Sequence, residues 1–229
     1  MLQGARFGLL MNQASVDRHF CYACDLLAAR YPGQLAAIFT SQHGLWGEQQ
    51  ANIIESPHGT YEPLAIPIYS LYSETRKPTP AMLEGVDTLL VDLQDVGTRI
   101  YTFAYTMSHV MEAAAEQGQE VVVLDRPNPI GGESVQGNRL DPGYRSCVGL
   151  YPMPTRHGLT MGELARWMNE RHRLGSGRSC TLHVVPMAGW RRDMWWNETG
   201  LPWHNPSPNI RSVDAAVLYT GTVFFEGTT

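Results

Sequence analysis

The chain has 229 residues, of which 43% are hydrophobic and 17% charged, and its formal net charge at pH 7 is −5. This composition is typical of a globular protein with a substantial core and excludes an intrinsically disordered chain. The negative charge argues against a nucleic-acid surface. No apolar run reaches the length of about 18 residues that a membrane helix needs, so we expect no membrane insertion.

Short apolar runs predict the strands of one sheet. In chain order they are residues 6–11, 35–39, 66–71, 88–91, 120–124, 182–186 and 215–219. The run at 66–71 contains a proline and is predicted as an edge strand. Residues 51–65 look irregular, and helical patterns end near residues 30, 85, 117 and 171. Strands that alternate with helices predict a Rossmann-like, three-layer α/β domain with a mostly parallel sheet, spanning residues 1–229.

The segment from residue 88 to residue 118 is the centre of this interpretation. The apolar strand at 88–91 runs directly into the sequence DLQDVGTR, which places Asp92, Asp95 and Arg99 just past the end of the strand. A helical pattern then begins near Tyr101 and stops at Gly118. Ligands of open α/β sheets bind outside the carboxyl ends of the strands, so these charged residues are predicted at the functional edge.

Two further loops should reach the same edge. The strand at 35–39 ends in a polar, glycine-punctuated loop at 40–48, and the strand at 120–124 ends in Asp125-Arg126-Pro127-Asn128. The long Gly- and Pro-rich excursion at 133–159 has no clear period and is predicted to line the site. It is followed by Thr160 and Glu163, whose spacing predicts a helix-capping box.

The motifs exclude several chemistries. The sequence contains no GxGxxG, GxxxxGK[ST], HExxH or GxSxG pattern. What remains is a set of carboxylates in predicted loops, and paired carboxylates are the catalysts of glycoside hydrolysis. This set comprises Glu48, Asp92, Asp95, Asp125 and Glu226. The plainer alternative is that Asp92 with Arg99, and Asp125 with Arg126, form structural ion pairs or loop caps.

Histidines and cysteines leave other possibilities open. A zinc site built from the loop residues His43, His157 and His204 is an alternative to histidines that simply form hydrogen bonds. Cys21 and Cys24 have redox-motif spacing, but they lie in a predicted helix, where cysteine usually acts as a small buried hydrophobe. Residues 2–10 do not resemble a signal peptide, so the compartment is cytoplasmic as the chain stands, and periplasmic or extracellular if a leader was removed.

Several longer motifs carry a resemblance to a known family. HGLWGE, PIYSLY with KPTP, DLQDVGTRIYT, LDRPNPIGG, VGLYPMPTRHGLTMGELA and PSPNI occur in this order. Together they resemble the NamZ-type exo-β-N-acetylmuramidases, a family formerly catalogued as a domain of unknown function. The resemblance implies a glycosidase that releases terminal N-acetylmuramic acid from peptidoglycan fragments. It also implies a Rossmann-like N-terminal domain followed by a smaller C-terminal domain, of which this chain is expected to contain the first.

The resemblance also implies site residues. Family members typically carry a catalytic Glu immediately before the HG of the second-strand loop, and this position is Gln42 here. Because an amide cannot transfer the proton that a carboxyl group would, Glu48 and either Asp92 or Asp95 become the acid/base candidates. The expected sugar-binding residues are His43, Arg99, Tyr101, Asp125, Arg126, Asn128, Arg156 and His157. Among these, Asp125, Arg126 and Asn128 are expected to bind the sugar and its lactyl carboxylate.

Two rival functions remain at this stage. One is a non-catalytic protein that binds muramyl sugars and has lost the usual acid at Gln42. The other is a metal-dependent hydrolase that uses His43 and Asp92. The glycosidase chemistry itself requires no cofactor, its partner is a peptidoglycan-derived sugar, and the oligomeric state is left open.

Overall fold

A computed structural model describes residues 2–49 and 54–225. Its centre is a seven-stranded sheet in the order β3-β4-β2-β1-β5-β6-β9, in which every neighbouring pair is parallel except β3 and β4. The strands of this sheet are β1 (Phe7–Met11), β2 (Leu35–Thr40), β3 (Gly59–Tyr61), β4 (Ile66–Ser70), β5 (Thr88–Asp92), β6 (Glu120–Leu124) and β9 (Thr181–Val185). The antiparallel pair β7 (Gln136–Arg139) and β8 (Pro154–Arg156) forms a separate hairpin.

Helices cover both faces of the sheet, which confirms the three-layer α/β prediction. The helices are α1 (Ala23–Arg30), α2 (Phe103–Gln117), α3 (Met161–Arg166) and α4 (Val213–Thr222), and α3 continues as a π-helical turn over Trp167–Arg171. Successive strand residues point to opposite faces. Leu89 and Val91 therefore pack with α2 and α3, whereas Leu90 packs with the start of α1. Both sides of β5 are buried, as its continuous apolar sequence predicts.

The last predicted strand is wrong, because residues 215–219 belong to helix α4. The Ser212 side chain accepts a hydrogen bond from the Ala215 backbone N–H at 3.1 Å, which satisfies a donor in the first turn of the helix. Asp214 lies in the same turn, where a negative charge favours the helix dipole. A short apolar run does not by its period distinguish a strand from a helix.

The edge of the sheet also differs from the prediction. Strand β3 lies within the stretch predicted as irregular, and it covers β4, so β4 is the second strand rather than the edge. The β2–β4 pairing begins at Ile68. Pro67 precedes that paired part and lies opposite Thr60 of β3, so its missing N–H falls outside the ladder with β2.

The remaining elements agree closely with the sequence. Helix α2 ends at Gly118, whose φ of +77° is a left-handed cap conformation that favours glycine. The predicted capping box of Thr160 and Glu163 begins α3. The prediction that both Cys21 and Cys24 lie in a helix is wrong for Cys21. Helix α1 starts at Ala23, so Cys21 is exposed before the helix, and only Cys24 is buried within it. In the described ranges, no helix combines the length and apolar character needed to cross a membrane.

Candidate functional site

A cavity of about 860 Å³ lies at the edge formed by the carboxyl ends of the strands. Its walls come from the loop after β2, the segment after β4, the first half of α2, residues 147–148, residues 207–210 and helix α4. Residues 147–148 belong to the Gly- and Pro-rich segment at 133–159 that the sequence predicts at the site. This volume lies within the range of about 300–1,000 Å³ that is usual for small-molecule sites. Of the predicted site residues, Gln42, His43 and Tyr101 line it. The cavity therefore occupies the edge that the β-strand sequences predict.

The loop after β2 holds His43 in a defined orientation. His43 and Gly44 have φ angles of +81° and +80°, so the chain turns sharply here. His43 Nδ1 lies 2.7 Å from the Gln49 carbonyl oxygen. Because a carbonyl only accepts, Nδ1 carries the proton, and Nε2 is the acceptor of the neutral ring. Burial lowers the pKa of His43, although the Gln49 carbonyl opposes this shift.

Gln42 joins this loop to the start of α2. The Thr102 hydroxyl donates to Gln42 Oε1 at 3.1 Å, and Thr102 is the residue at the N-terminal cap of the helix. Gln42 is 9% exposed and lines the cavity. A carboxylate at this position would accept the same bond from Thr102. The surroundings are therefore compatible with either glutamine or glutamate at position 42.

Glu48 turns back onto its own loop. Its Oε2 atom accepts a hydrogen bond from the Trp46 backbone N–H at 3.0 Å, and its carboxylate packs against Gly44, where it would collide with any Cβ. Glu48 does not occur among the described residues that line the cavity. It lies on the same loop as Gln42, but its carboxylate serves the loop's own conformation.

Asp92 forms a buried ion pair with Arg126 rather than with Arg99. Arg126 donates from Nε to Asp92 Oδ1 and from Nη2 to Asp92 Oδ2, the latter at 2.9 Å. Its guanidinium also donates twice to the Val16 carbonyl oxygen, at 3.2 Å each. Burial by itself would lower the pKa of Arg126, but the Asp92 carboxylate outweighs burial, and the net shift is upward. These contacts of Arg126 hold together the segments at the carboxyl ends of β1, β5 and β6.

Asp95 and His157 form a second buried pair. Asp95 Oδ2 accepts from the Gly97 backbone N–H at 2.6 Å and lies 3.2 Å from His157 Nε2. The Leu159 N–H donates to His157 Nδ1 at 3.1 Å, so the proton of the neutral ring is on Nε2, facing Asp95. The His157 side chain is only 2% exposed. This pair joins the loop after β5 to the segment that follows β8.

Asp125 and Asn128 form hydrogen bonds within the protein, mostly with backbone groups. Asp125 accepts from the Thr160 hydroxyl at 3.0 Å and from the Gly162 N–H at 2.7 Å, so it caps helix α3 instead of pairing with Arg126. Burial raises the pKa of Asp125, and these hydrogen bonds oppose the shift. Asn128 donates to the Leu159 carbonyl at 3.0 Å and accepts from the Ile130 N–H at 3.2 Å.

The two remaining predicted arginines stabilise the hairpin region. Arg99 Nη1 donates to the carbonyl oxygens of Asn138 and Met153, at 2.7 and 2.8 Å. Arg156 donates to Gln136 Oε1 at 3.1 Å and to the Ile130 carbonyl, and its guanidinium lies 5.3 Å from the centre of the Trp195 ring. The guanidinium groups therefore hold the hairpin formed by β7 and β8 against the domain.

Tyr101 lies between the cavity and the buried pairs. Its side chain is 6% exposed and lines the cavity. Burial raises its pKa well above the usual value, Asp95 raises it further, and the Ser207 hydroxyl opposes the shift. The phenol therefore stays neutral throughout the physiological range and can serve as a hydrogen-bond donor to a ligand.

The structure thus divides the predicted residues into two sets. Gln42, His43 and Tyr101 line the cavity. The others form a supporting network around it: Glu48, Asp92, Asp95, Arg99, Asp125, Arg126, Asn128, Arg156 and His157. Glu226 lies outside the described residues. Within the described ranges, no group of three or more His, Cys, Asp or Glu side chains is arranged to hold a metal ion.

The predictions from residue types missed several side chains that line the cavity. These are chiefly Tyr72, Arg76, His109, Ser207 and Asn209. Three of the family-like motifs pointed towards them: Tyr72 ends PIYSLY, Arg76 lies immediately before KPTP, and Ser207 and Asn209 belong to PSPNI. KPTP and PSPNI do not follow directly from a predicted strand, so the strand-end argument did not find Arg76, Ser207 and Asn209.

Comparison with known proteins identifies the family. A family model described as exo-beta-N-acetylmuramidase NamZ, N-terminal, matches residues 7–214. The peptidoglycan beta-N-acetylmuramidase NamZ of Bacillus subtilis (strain 168) is 44% identical over 229 residues, which cover 99% of this chain and 54% of that protein.

Two crystal structures show the same fold, and both are of DUF1343 family proteins from Bacteroides fragilis NCTC 9343. One is 41% identical with a TM-score of 0.89, and the match covers 98% of this chain and 56% of the other. The second is 33% identical with a TM-score of 0.83, and the match covers 99% and 58%. The chain thus spans somewhat more than half the length of these relatives. It belongs to the exo-β-N-acetylmuramidase NamZ family, whose N-terminal region it matches.

Proposed function

We propose that this protein is a glycoside hydrolase that releases terminal N-acetylmuramic acid from the non-reducing end of peptidoglycan fragments. The observation that carries the proposal is the cavity lined by Gln42, His43 and Tyr101, in a chain 44% identical to a peptidoglycan beta-N-acetylmuramidase. Two of these residues belong to family-like motifs, and all three lie at the edge where α/β sheets bind ligands. We place the terminal sugar in this cavity.

Among the predicted acids, we propose Glu48 as the proton donor. Asp92 is engaged by the guanidinium of Arg126, and Asp95 by His157 and the Gly97 N–H. Releasing either carboxylate would leave a buried partner unpaired, which is costly. Glu48 accepts one backbone N–H within the described part of its loop, from Trp46, and it lies on the same loop as Gln42. Catalytic hydrogen bonds often form only in the substrate complex, so a change in this loop would suffice to bring Glu48 to the sugar.

The test is hydrolysis of a chromogenic N-acetylmuramic acid glycoside by the full-length natural protein. Glu48→Gln should lower kcat by about 100- to 10,000-fold, the usual contribution of a general acid. Glu62→Gln, at an exposed position after β3, is the matched control and should retain normal turnover. Normal activity of Glu48→Gln would remove Glu48 from the mechanism and leave the substrate assignment standing.

A specific observation favours the second candidate, a non-catalytic protein that binds muramyl sugars. Gln42 replaces the typical glutamate, and no Asp or Glu occurs among the described residues that line the cavity. Such a protein would bind N-acetylmuramic acid without turning over its glycosides. Turnover in a Gln42→Glu variant combined with an inactive native protein would select this candidate.

A further inference from the structure

The cavity has an uneven charge distribution. Among its described lining residues, Arg76 carries the only permanent charge, and carboxylates are absent from that set. Burial lowers the pKa of both lining histidines, His43 and His109, so their neutral forms dominate at pH 7. The electrostatic character of the described wall is therefore that of one guanidinium group, which favours an anionic ligand.

Among the described residues, three contacts hold the Arg76 side chain. Its guanidinium stacks over the Tyr72 ring, 3.9 Å from the ring centre, and its Nη1 donates to the Ser73 carbonyl oxygen at 2.7 Å. The contact from Nη2 to Glu55 is long, at 4.0 Å, and the side chain is 43% exposed. A guanidinium fixed by stacking loses little freedom when it binds a carboxylate, and its planar fork suits that partner.

Unlike Arg76, the three arginines that the sequence predicts as sugar ligands are engaged by other groups of the protein. Arg126 is engaged by Asp92 and the Val16 carbonyl, Arg99 by two hairpin carbonyls, and Arg156 by Gln136 and the Ile130 carbonyl. None of the three occurs among the described residues that line the cavity. A substrate carboxylate in the cavity would therefore meet Arg76 and not these side chains.

We infer that Arg76 binds the lactyl carboxylate of N-acetylmuramic acid and so determines which sugar the cavity accepts. N-acetylglucosamine has the same ring and acetamido group but no lactyl carboxylate, so this one contact separates the two sugars. This inference rests on the proposed function. It assigns the lactyl carboxylate to Arg76 in place of Arg126.

The test compares two chromogenic substrates, the N-acetylmuramic acid glycoside and its lactyl methyl ester, which has no charge and is larger by one methyl group. Arg76→Gln should lower kcat/KM for the acid by about 10- to 150-fold, the size of a lost charged hydrogen bond, mainly through a higher KM. The kcat/KM for the ester should change by less than about twofold, because the uncharged ester forms no ion pair with Arg76.

Two further variants make the comparison specific. Lys77→Gln removes the same charge from the next residue, whose ammonium pairs with Glu116 on the surface at 3.0 Å, and it should leave both substrates unaffected. Arg76→Lys keeps the charge and should retain part of the preference for the acid. An equal loss on acid and ester in Arg76→Gln would overturn the inference, as would a native enzyme that does not distinguish the two substrates.

Calorimetry with free sugars separates this inference from the proposed function. If the native protein hydrolyses neither glycoside, the proposed activity fails. Arg76 is then tested by binding alone. Native protein that prefers N-acetylmuramic acid to N-acetylglucosamine, with the preference lost in Arg76→Gln, supports the inference. Equal affinity for both sugars, or binding of neither, overturns it.

Discussion

The carboxylates at the ends of β5 and β6 are chemically plausible catalysts, but in this fold they form structural contacts; Asp92 and Asp95 are buried and Asp125 is half-buried. Asp92 binds Arg126, Asp95 binds His157 and the Gly97 N–H, and Asp125 caps helix α3. Their sequence positions at strand ends are the same positions that a catalytic carboxylate would occupy. The difference lies in which partners reach them from distant parts of the chain.

The Asp92–Arg126 pair provides a stability prediction. Asp92→Asn should lower the free energy of unfolding by up to about 3–5 kcal/mol, because it leaves a largely buried guanidinium, 16% exposed, without its counter-charge. Asp193→Asn removes an aspartate that pairs with Arg191 on the surface, where the two side chains are 54% and 61% exposed. That control should cost less than about 1 kcal/mol. Denaturant unfolding of both variants measures the contrast, and equal losses would contradict the assignment of Asp92 as a structural residue.

His43 provides a pH prediction. Burial places its folded-state pKa below the ordinary value of 6.5, so the folded protein binds fewer protons here than the unfolded chain. Its contribution to stability is therefore present above pH 6.5 and is lost as the pH falls below the unfolded value. His43→Asn keeps a residue that tolerates the positive φ, and it should reduce the difference in unfolding free energy between pH 7 and pH 5.

The control for this experiment is His183→Asn, since the His183 side chain is 38% exposed. It should change the pH dependence less than His43→Asn does. An NMR titration of the native protein gives the direct value. A His43 pKa at or above 6.5 would contradict the buried, Nδ1-protonated ring seen here.

At the level of elements, the loop between β5 and α2 requires a glycine at position 97. Gly97 has a φ of +83°, and a Cβ there would lie 2.5 Å from Asn128 Oδ1 and 2.6 Å from Ile130 Cγ1. Gly118 has a similar φ of +77°, but no atom outside its own neighbourhood lies within 4 Å of a Cβ placed there. A substitution at Gly118 therefore introduces backbone strain alone, whereas the same substitution at Gly97 introduces both backbone strain and steric overlap.

This contrast makes a third prediction. Gly118→Ala should lower the free energy of unfolding by about 1–2 kcal/mol, because a residue with a side chain is strained in a left-handed conformation. Gly97→Ala should lower it by the same amount and by about 1–3 kcal/mol more, because its Cβ would overpack the site. It should also weaken sugar binding, because the same loop carries Tyr101 to the cavity. Thermal unfolding of both variants tests this, and equal losses would show that the packing around residue 97 relaxes freely.

The strands of the sheet were predictable because parallel strands are buried on both faces and therefore have continuous apolar sequences. Residues 88–91 and 120–124 are clear examples. Helix α4 was not predictable in this way, since five apolar residues fit either a strand or a helix. The signal that distinguishes them is Ser212, whose side chain caps the first turn.

The position of the candidate site was predictable from the sequence, but most of the side chains that line the cavity were not. Strand ends and glycine-punctuated loops predicted the edge of the sheet at which the cavity lies, and Gln42, His43 and Tyr101 line that cavity. Their roles in binding or catalysis stay a prediction. Arg76 was missed because it does not lie at a predicted strand end, although the KPTP motif begins at the next residue. Its place in the cavity wall depends on residues far away in the sequence, such as those of helix α4, and Arg126 is engaged by Asp92, 34 residues away.

For the molecule as a whole, the chain matches the N-terminal region of its family and spans 54% of the Bacillus subtilis relative. The expectation that a smaller second domain accompanies this one stays a prediction. Helix α4 contributes Leu218 to the cavity wall, and Phe225 follows it. These side chains are 64% and 74% exposed, so the described part of the cavity has one largely apolar rim.

The central claim is that the muramic acid residue binds in the cavity beside Gln42, and the most direct test is a crystal structure of the full-length protein grown with N-acetylmuramic acid. We predict electron density for the sugar between Gln42, Tyr101 and Arg76, with the lactyl carboxylate against the Arg76 guanidinium. Density beside Asp125, Arg126 and Asn128, with those residues released from their present partners, would contradict the account and restore the assignment made from the sequence.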